Sequence, residues 1–99
     1  MIARIWTGEV LSERAEEYVR LMRDIAIPDY RSISGNWGAW CLHRALSSTT
    51  QVTMLSFWES IDSIREFAGE QIDSAMYYPF DKGFLTKMPD HVSHFTVES

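Results

Sequence analysis

An imidazole titrates near neutral pH and can accept a proton there, and of the three histidines in the chain His94 has the most suitable setting. It lies in Ser93-His94-Phe95-Thr96-Val97, a β-branched and aromatic run that reads as a strand. There it serves either as a proton acceptor or as a buried histidine bonded to backbone. His43, at the end of another candidate strand, is expected to be exposed. His91 and His94 are three positions apart, which on a strand sets them on opposite faces, so they do not form a chelating pair. Cys41 is the single cysteine, which excludes an intrachain disulfide and a cysteine-built zinc site and makes the cytoplasm the default location.

A second group of residues can grip an aromatic molecule. Tyr77 and Tyr78 stand together in Ala75-Met76-Tyr77-Tyr78-Pro79, where a phenol either bonds a ligand oxygen while its ring covers the ligand, or packs beneath a loop. Tyr30 and Asn36 belong to a polar connection. The Asn36 amide can both donate to and accept from a ligand carbonyl, although both residues, like neighbouring Asp29, also suit a turn. Trp58 ends a strand just before a helix and is either a pocket floor or a hydrophobic plug. Four tryptophans, Trp6, Trp37, Trp40 and Trp58, are more ring than one small core holds, so some of them line a pocket or a subunit contact. The candidate catalytic residues are therefore His94, Tyr77 and Tyr78, and the candidate ligand-binding residues Trp58, Asn36, Tyr30 and Trp6. Arg4 is out of place in an apolar strand. It pairs with a carboxylate across a dimer or meets an acidic ligand.

The elements that must position these residues follow from periodicity. Residues 1–7 suit a first strand ending at Gly8. Ser12 reads as an N-cap, followed by apolar or small residues at 15, 18, 19, 22, 25 and 26, the spacing of one buried helix face. Glu16 and Arg20 stand at i, i+4 on the solvated side. Pro28 is expected to stop that helix. A polar stretch leads to a second strand over 37–44, residues 46–50 make a hairpin connection, and a third strand covers 51–58. Ser60 caps a second helix carrying Ile61, Ile64, Phe67 and Ala68, which Gly69 ends. Residues 69–90 show no clean period and are expected to pack as a lid with a helical turn near 73–77. A last strand over 91–97 completes β-α-β-β-α-β, the ferredoxin-like α+β order, with both helices on one face of an antiparallel sheet.

Bulky apolar residues occupy both alternations of the strands: Val52, Met54 and Trp58 on one side of the third, Leu55 and Phe57 on the other. A sheet apolar on both faces, with helices for one, is expected to pack against a second copy. At 99 residues and 11.5 kDa one domain, 1–99, is expected, with about 5,800 Å² of accessible surface. A net charge of −5, with Lys82 and Lys87 the only lysines, argues against a nucleic-acid partner. No apolar run approaches the ~20 residues that span a bilayer, so no membrane partner is expected.

Across essentially its whole length the chain resembles the antibiotic biosynthesis monooxygenase-like domains of the dimeric α+β barrel superfamily. The resemblance rests on Met1-Ile2-Ala3-Arg4-Ile5-Trp6, Pro28-Asp29-Tyr30 with Gly35-Asn36, Phe57-Trp58-Glu59-Ser60, Ile64-Arg65-Glu66-Phe67-Ala68-Gly69, the segment 75–79 and His94-Phe95. It implies a homodimeric ferredoxin-like barrel. It also implies a pocket between sheet and helices where a small aromatic or polyketide-like substrate loses a proton and reacts with oxygen, with no metal, flavin or other cofactor. A heme-degrading branch of the superfamily is similar at Trp58 but needs a histidine where this chain has Ala68, which disfavours heme. A non-catalytic ligand-binding domain and an isomerase of the same fold are the alternatives.

Overall fold

The computed structural model describes residues 1–99. Its central strand is longer than the apolar run at the N-terminus suggests. β1 covers Ile2–Leu11 because β3, Thr49–Trp58, pairs with it antiparallel along its whole length, from Ile2↔Trp58 to Leu11↔Thr49. β2, Asn36–Ala45, pairs with the other side of β3, and a tight connection at 46–48 joins the two strands. The expected last strand is divided. β4, Leu85–Lys87, pairs with the end of β1, whereas β5, Ser93–Thr96, pairs with its beginning through Arg4↔His94 and Ala3↔Phe95. The result is a five-stranded antiparallel sheet in the order β2-β3-β1-β4, with β5 also beside β1. This is the α+β ferredoxin-like fold.

The first helical run differs from its expected form at both ends. Ser12 does not cap it. Its hydroxyl instead bonds Thr50 Oγ1 at 2.9 Å and Ser47 O at 3.3 Å, tying the helix entry to the β2–β3 hairpin. A 3₁₀ turn, Ser12–Arg14, leads into α1, Ala15–Leu21; a π-helical turn, Met22–Ala26, then leads into α2, Ile27–Ser32. Pro28 therefore does not end the helix. It stands in the first turn of α2, where the helix restarts after the π-turn and a missing N–H is tolerated. The buried residues Tyr18, Met22, Ala26 and Tyr30 recur every four positions. A ~3.6-residue turn would carry such a row off the core face, and the wider π-turn brings it back. Ile25, expected inside, is 45% exposed.

The second helix forms as its caps direct. In α3, Ile61–Ala68, the Ser60 hydroxyl accepts from the Ser63 N–H and Gly69 ends the helix at φ 85°. Both helical runs pack on one face of the sheet, where Trp6, Val10, Tyr18, Met22, Val52, Met54, Trp58 and Ile64 form a single core. The opposite face has no cover within the chain. Leu55 and Phe57 are half-buried there, and Trp40, Leu42 and Phe95 are 46–54% exposed. The accessible surface is 5875 Å². No helix is long and apolar enough to cross a membrane.

Residues 69–90 run as a strap along the helix face. The helical turn expected near 73–77 is absent; Ser74 instead makes a β-bridge with His91. A 3₁₀ turn forms later, at Asp81–Gly83, where the Asp81 carboxylate accepts from the Tyr18 hydroxyl at 2.6 Å and from the Tyr78 N–H at 2.6 Å. Buried carboxylate and helix phenol together fix the strap to α1.

Candidate functional site

β1 and β5 bring together two residues distant in sequence. Arg4 and His94 face each other in register on the helix side, with Arg4 Nη1 2.9 Å from His94 Nε2. A guanidinium has only hydrogens to offer, so His94 Nε2 accepts and the ring proton lies on Nδ1. That Nδ1–H donates to Asp73 Oδ1 at 2.9 Å. Asp73, His94 and Arg4 thus form one hydrogen-bonded row from solvent into the interior. Arg4 is 2% exposed. Its Nη1 also donates to Ile72 O at 2.6 Å and its Nη2 to Ser74 O at 3.2 Å, whereas buried Nε has no acceptor in the chain. Burial pulls the guanidinium pKa below its ordinary value, and the nearby Tyr30 and Asp73 oppose that shift.

An aromatic wall adjoins this row. The Arg4 guanidinium carbon lies 5.7 Å from the Phe67 ring centre, and Phe67 packs in turn against Tyr30 at 4.2 Å and Trp58 at 5.4 Å. Trp58 is fully buried, with its ring N–H given to Ser56 Oγ at 2.9 Å. Tyr30 is 6% exposed, and burial raises its phenol pKa although Arg4 acts against the rise. Trp6 is 5% exposed and donates to the Tyr77 hydroxyl at 3.3 Å.

The remaining candidates are engaged elsewhere. Tyr77 gives its own proton to Pro89 O, and Tyr78 gives its proton to Asp29 Oδ2 at 2.7 Å, so the two phenols fasten the strap. Burial, the main cause at both residues, raises each phenol pKa. Asn36 sits at the β-bulge of β2, where its Oδ1 accepts from the Gly38 N–H at 3.0 Å and its Nδ2 donates to Phe57 O at 3.4 Å. His43 is exposed on β2, far along the chain from this group. His94 therefore bonds Arg4, Trp58 and Tyr30 pack behind the Phe67 ring beside it, Trp6 and Tyr77 pair beside the strap, and Tyr78 and Asn36 stand apart.

Three members of the site have other expected places in the sequence. Asp73 falls where a helical turn is expected, Phe67 belongs to a helix stripe, and Arg4 is left between two partners. The register settles one of those two: Arg4 lies on the helix side with Trp6, so it cannot reach across the open sheet face. The expected open pocket between sheet and helices is filled by the aromatic side chains themselves. The surface depressions lie elsewhere, one of about 480 Å³ beside Val19, Arg20, Arg23 and His43, another of about 420 Å³ beside Thr7, Gly8, Lys87 and Pro89. No group of three or more His, Cys, Asp and Glu side chains is placed to hold a metal ion.

No family model and no curated protein matches the chain. Solved structures do. A candidate antibiotic biosynthesis monooxygenase from Nitrosomonas europaea superimposes with a TM-score of 0.71 at 13% identity, over 98% of each chain. The fold is shared. A second such candidate, from Bacillus cereus, gives 0.65 at 13% identity over 99% of this chain and 95% of that one. An uncharacterised NIPSNAP domain protein from Burkholderia xenovorans gives 0.63 at 11% identity over 100% and 96%. The likeness runs from end to end of the chain, and at these identities it is one of fold.

Proposed function

We propose that the chain is a cytoplasmic, homodimeric, cofactor-independent monooxygenase that acts on a small aromatic or polyketide-like substrate. The observation that carries this reading is the Asp73–His94–Arg4 row set against the Phe67, Tyr30 and Trp58 rings. It has the parts of a general base: an imidazole, a carboxylate that orients it and would stabilise its cation, and a cationic group where an oxyanion would form. In the present arrangement Arg4 occupies the His94 Nε2 lone pair. When a substrate oxygen takes the Arg4 N–H, Nε2 is freed to accept a proton from the substrate carbon. The carbanion then reacts with dioxygen. For an anthrone-type methylene one oxygen atom enters the product as a carbonyl and the other leaves in water.

Dimerisation is supported by the open sheet face, where Trp40, Leu42, Leu55, Phe57 and Phe95 have no cover within the chain. One observation favours a second reading, a non-catalytic ligand-binding domain: the interior aromatic residues already occupy one another and enclose no open cavity. Incubation with a panel of anthrones under air and under nitrogen separates the readings. Quinone formed only in air, and lost in His94→Ala, supports the monooxygenase. Turnover under nitrogen would indicate an isomerase, and saturable binding without turnover a binding domain.

A further inference from the structure

We propose that Arg4 sets the specificity of this interior site and that its ligand carries an acidic oxygen, a carboxylate or an ionised phenol, on an aromatic body. The inference rests on the reading that the interior receives an aromatic molecule, and it names the charge that molecule must bear.

A buried guanidinium normally meets a carboxylate, often through two parallel hydrogen bonds. Arg4 is 2% exposed, yet its acceptors are two backbone carbonyls, of Ile72 and Ser74, and the neutral lone pair of His94. The one nearby carboxylate, Asp73, accepts from His94 and from no nitrogen of Arg4, and reaches the guanidinium only through space. Nε is buried with no acceptor at all. A second copy of the chain packed on the open sheet face cannot supply the missing anion, because Arg4 projects to the other face, opposite Ser56 of β3 and alongside Trp6.

The surroundings then define the rest of the ligand. Phe67 lies 5.7 Å from the guanidinium carbon and is only half-buried, with buried Tyr30 and Trp58 packed behind it, so its ring is the apolar face beside Arg4 on which a flat ring can lie. The atoms that cover Arg4 are carbonyls of residues 72 and 74, between the end of α3 at Gly69 and the Ser74–His91 bridge. Ile72 lies in a turn outside any helix or strand, so an acidic oxygen can replace its carbonyl on Arg4 without breaking a regular element, while the Ser74 carbonyl stays with the bridge.

Isothermal titration with two probes of the same shape, 1-naphthoate and neutral 1-naphthamide, tests the proposal on the wild-type protein. Naphthoate is expected to bind saturably and at least ten-fold more tightly than naphthamide, and to shift the Arg4 Nε–H resonance in ¹⁵N-edited spectra. Arg4→Gln should abolish the preference. If that variant fails to fold, Arg4→Lys, which keeps the charge but loses Nε and the planar fork, should weaken naphthoate alone. Equal affinity for both probes would overturn the acidic-ligand inference and leave the aromatic site standing. Binding of neither at millimolar concentration would overturn both.

Discussion

His94 holds its proton on Nδ1 because Arg4 leaves Nε2 no other role than acceptor, and that pairing ties the imidazole to a buried guanidinium. Truncation in His94→Ala removes the acceptor of one buried donor and should cost about 1–3 kcal/mol, measured by denaturant unfolding, besides any turnover. Cys41 provides an independent check on the packing of β2 against the helices. Burial pushes its thiol up to about 11 from an ordinary 9.0. The folded state thus holds the proton longer than the unfolded one, and the stability linked to Cys41 is intact below pH 9 and lost as pH rises toward 11. At pH 9 iodoacetamide should alkylate folded Cys41 on the order of 50-fold more slowly than a free thiol. Sequence types alone single out His94, Trp58 and Arg4, since an imidazole, a strand-end indole and a cation in an apolar strand are each conspicuous. They do not show that Arg4 and His94 touch, because that contact depends on β5 pairing with β1 across ninety positions.

Elements with local causes are the ones legible in sequence. Ser60 and Gly69 bound α3 as their cap chemistry requires, and the β2–β3 hairpin follows from two β-rich runs and a polar turn. The strap and the π-turn have no such local cause. The strap is held by contacts from distant residues, Tyr18 to Asp81, Tyr78 to Asp29 and Arg14 to Gly83 O, and the π-turn by the fit of a four-residue row to the core. Gly35 shows how closely these elements meet. It lies at φ 88°, and a β-carbon there would fall 2.1 Å from Ser63 Oγ at the start of α3. Gly35→Ala should therefore destabilise the protein by about 1–3 kcal/mol in thermal or chemical unfolding. In Tyr18→Phe, buried Asp81 loses a hydrogen bond that holds its carboxyl pKa down against the larger upward effect of burial. The strap around Asp81–Gly83 should then exchange its amide hydrogens faster than in wild type.

At the scale of the molecule, helices cover one sheet face and leave the other apolar and open, as expected from strands apolar on both alternations. A stable dimer through that face would bury about 800 Å² on each partner. Sedimentation at micromolar concentration should give a dimer, and Trp40→Glu should give a monomer that keeps its fold; a wild-type monomer would remove this part of the account. The proposed function asks the interior row of Asp73, His94 and Arg4 to act on an aromatic substrate. An oxygen electrode reads that claim most directly. With an anthrone as substrate, the wild-type protein is predicted to consume one dioxygen per quinone formed, well above the rate of autoxidation, and His94→Ala to fall to that background. Oxygen uptake by the wild-type protein no faster than autoxidation across the substrate panel would contradict it.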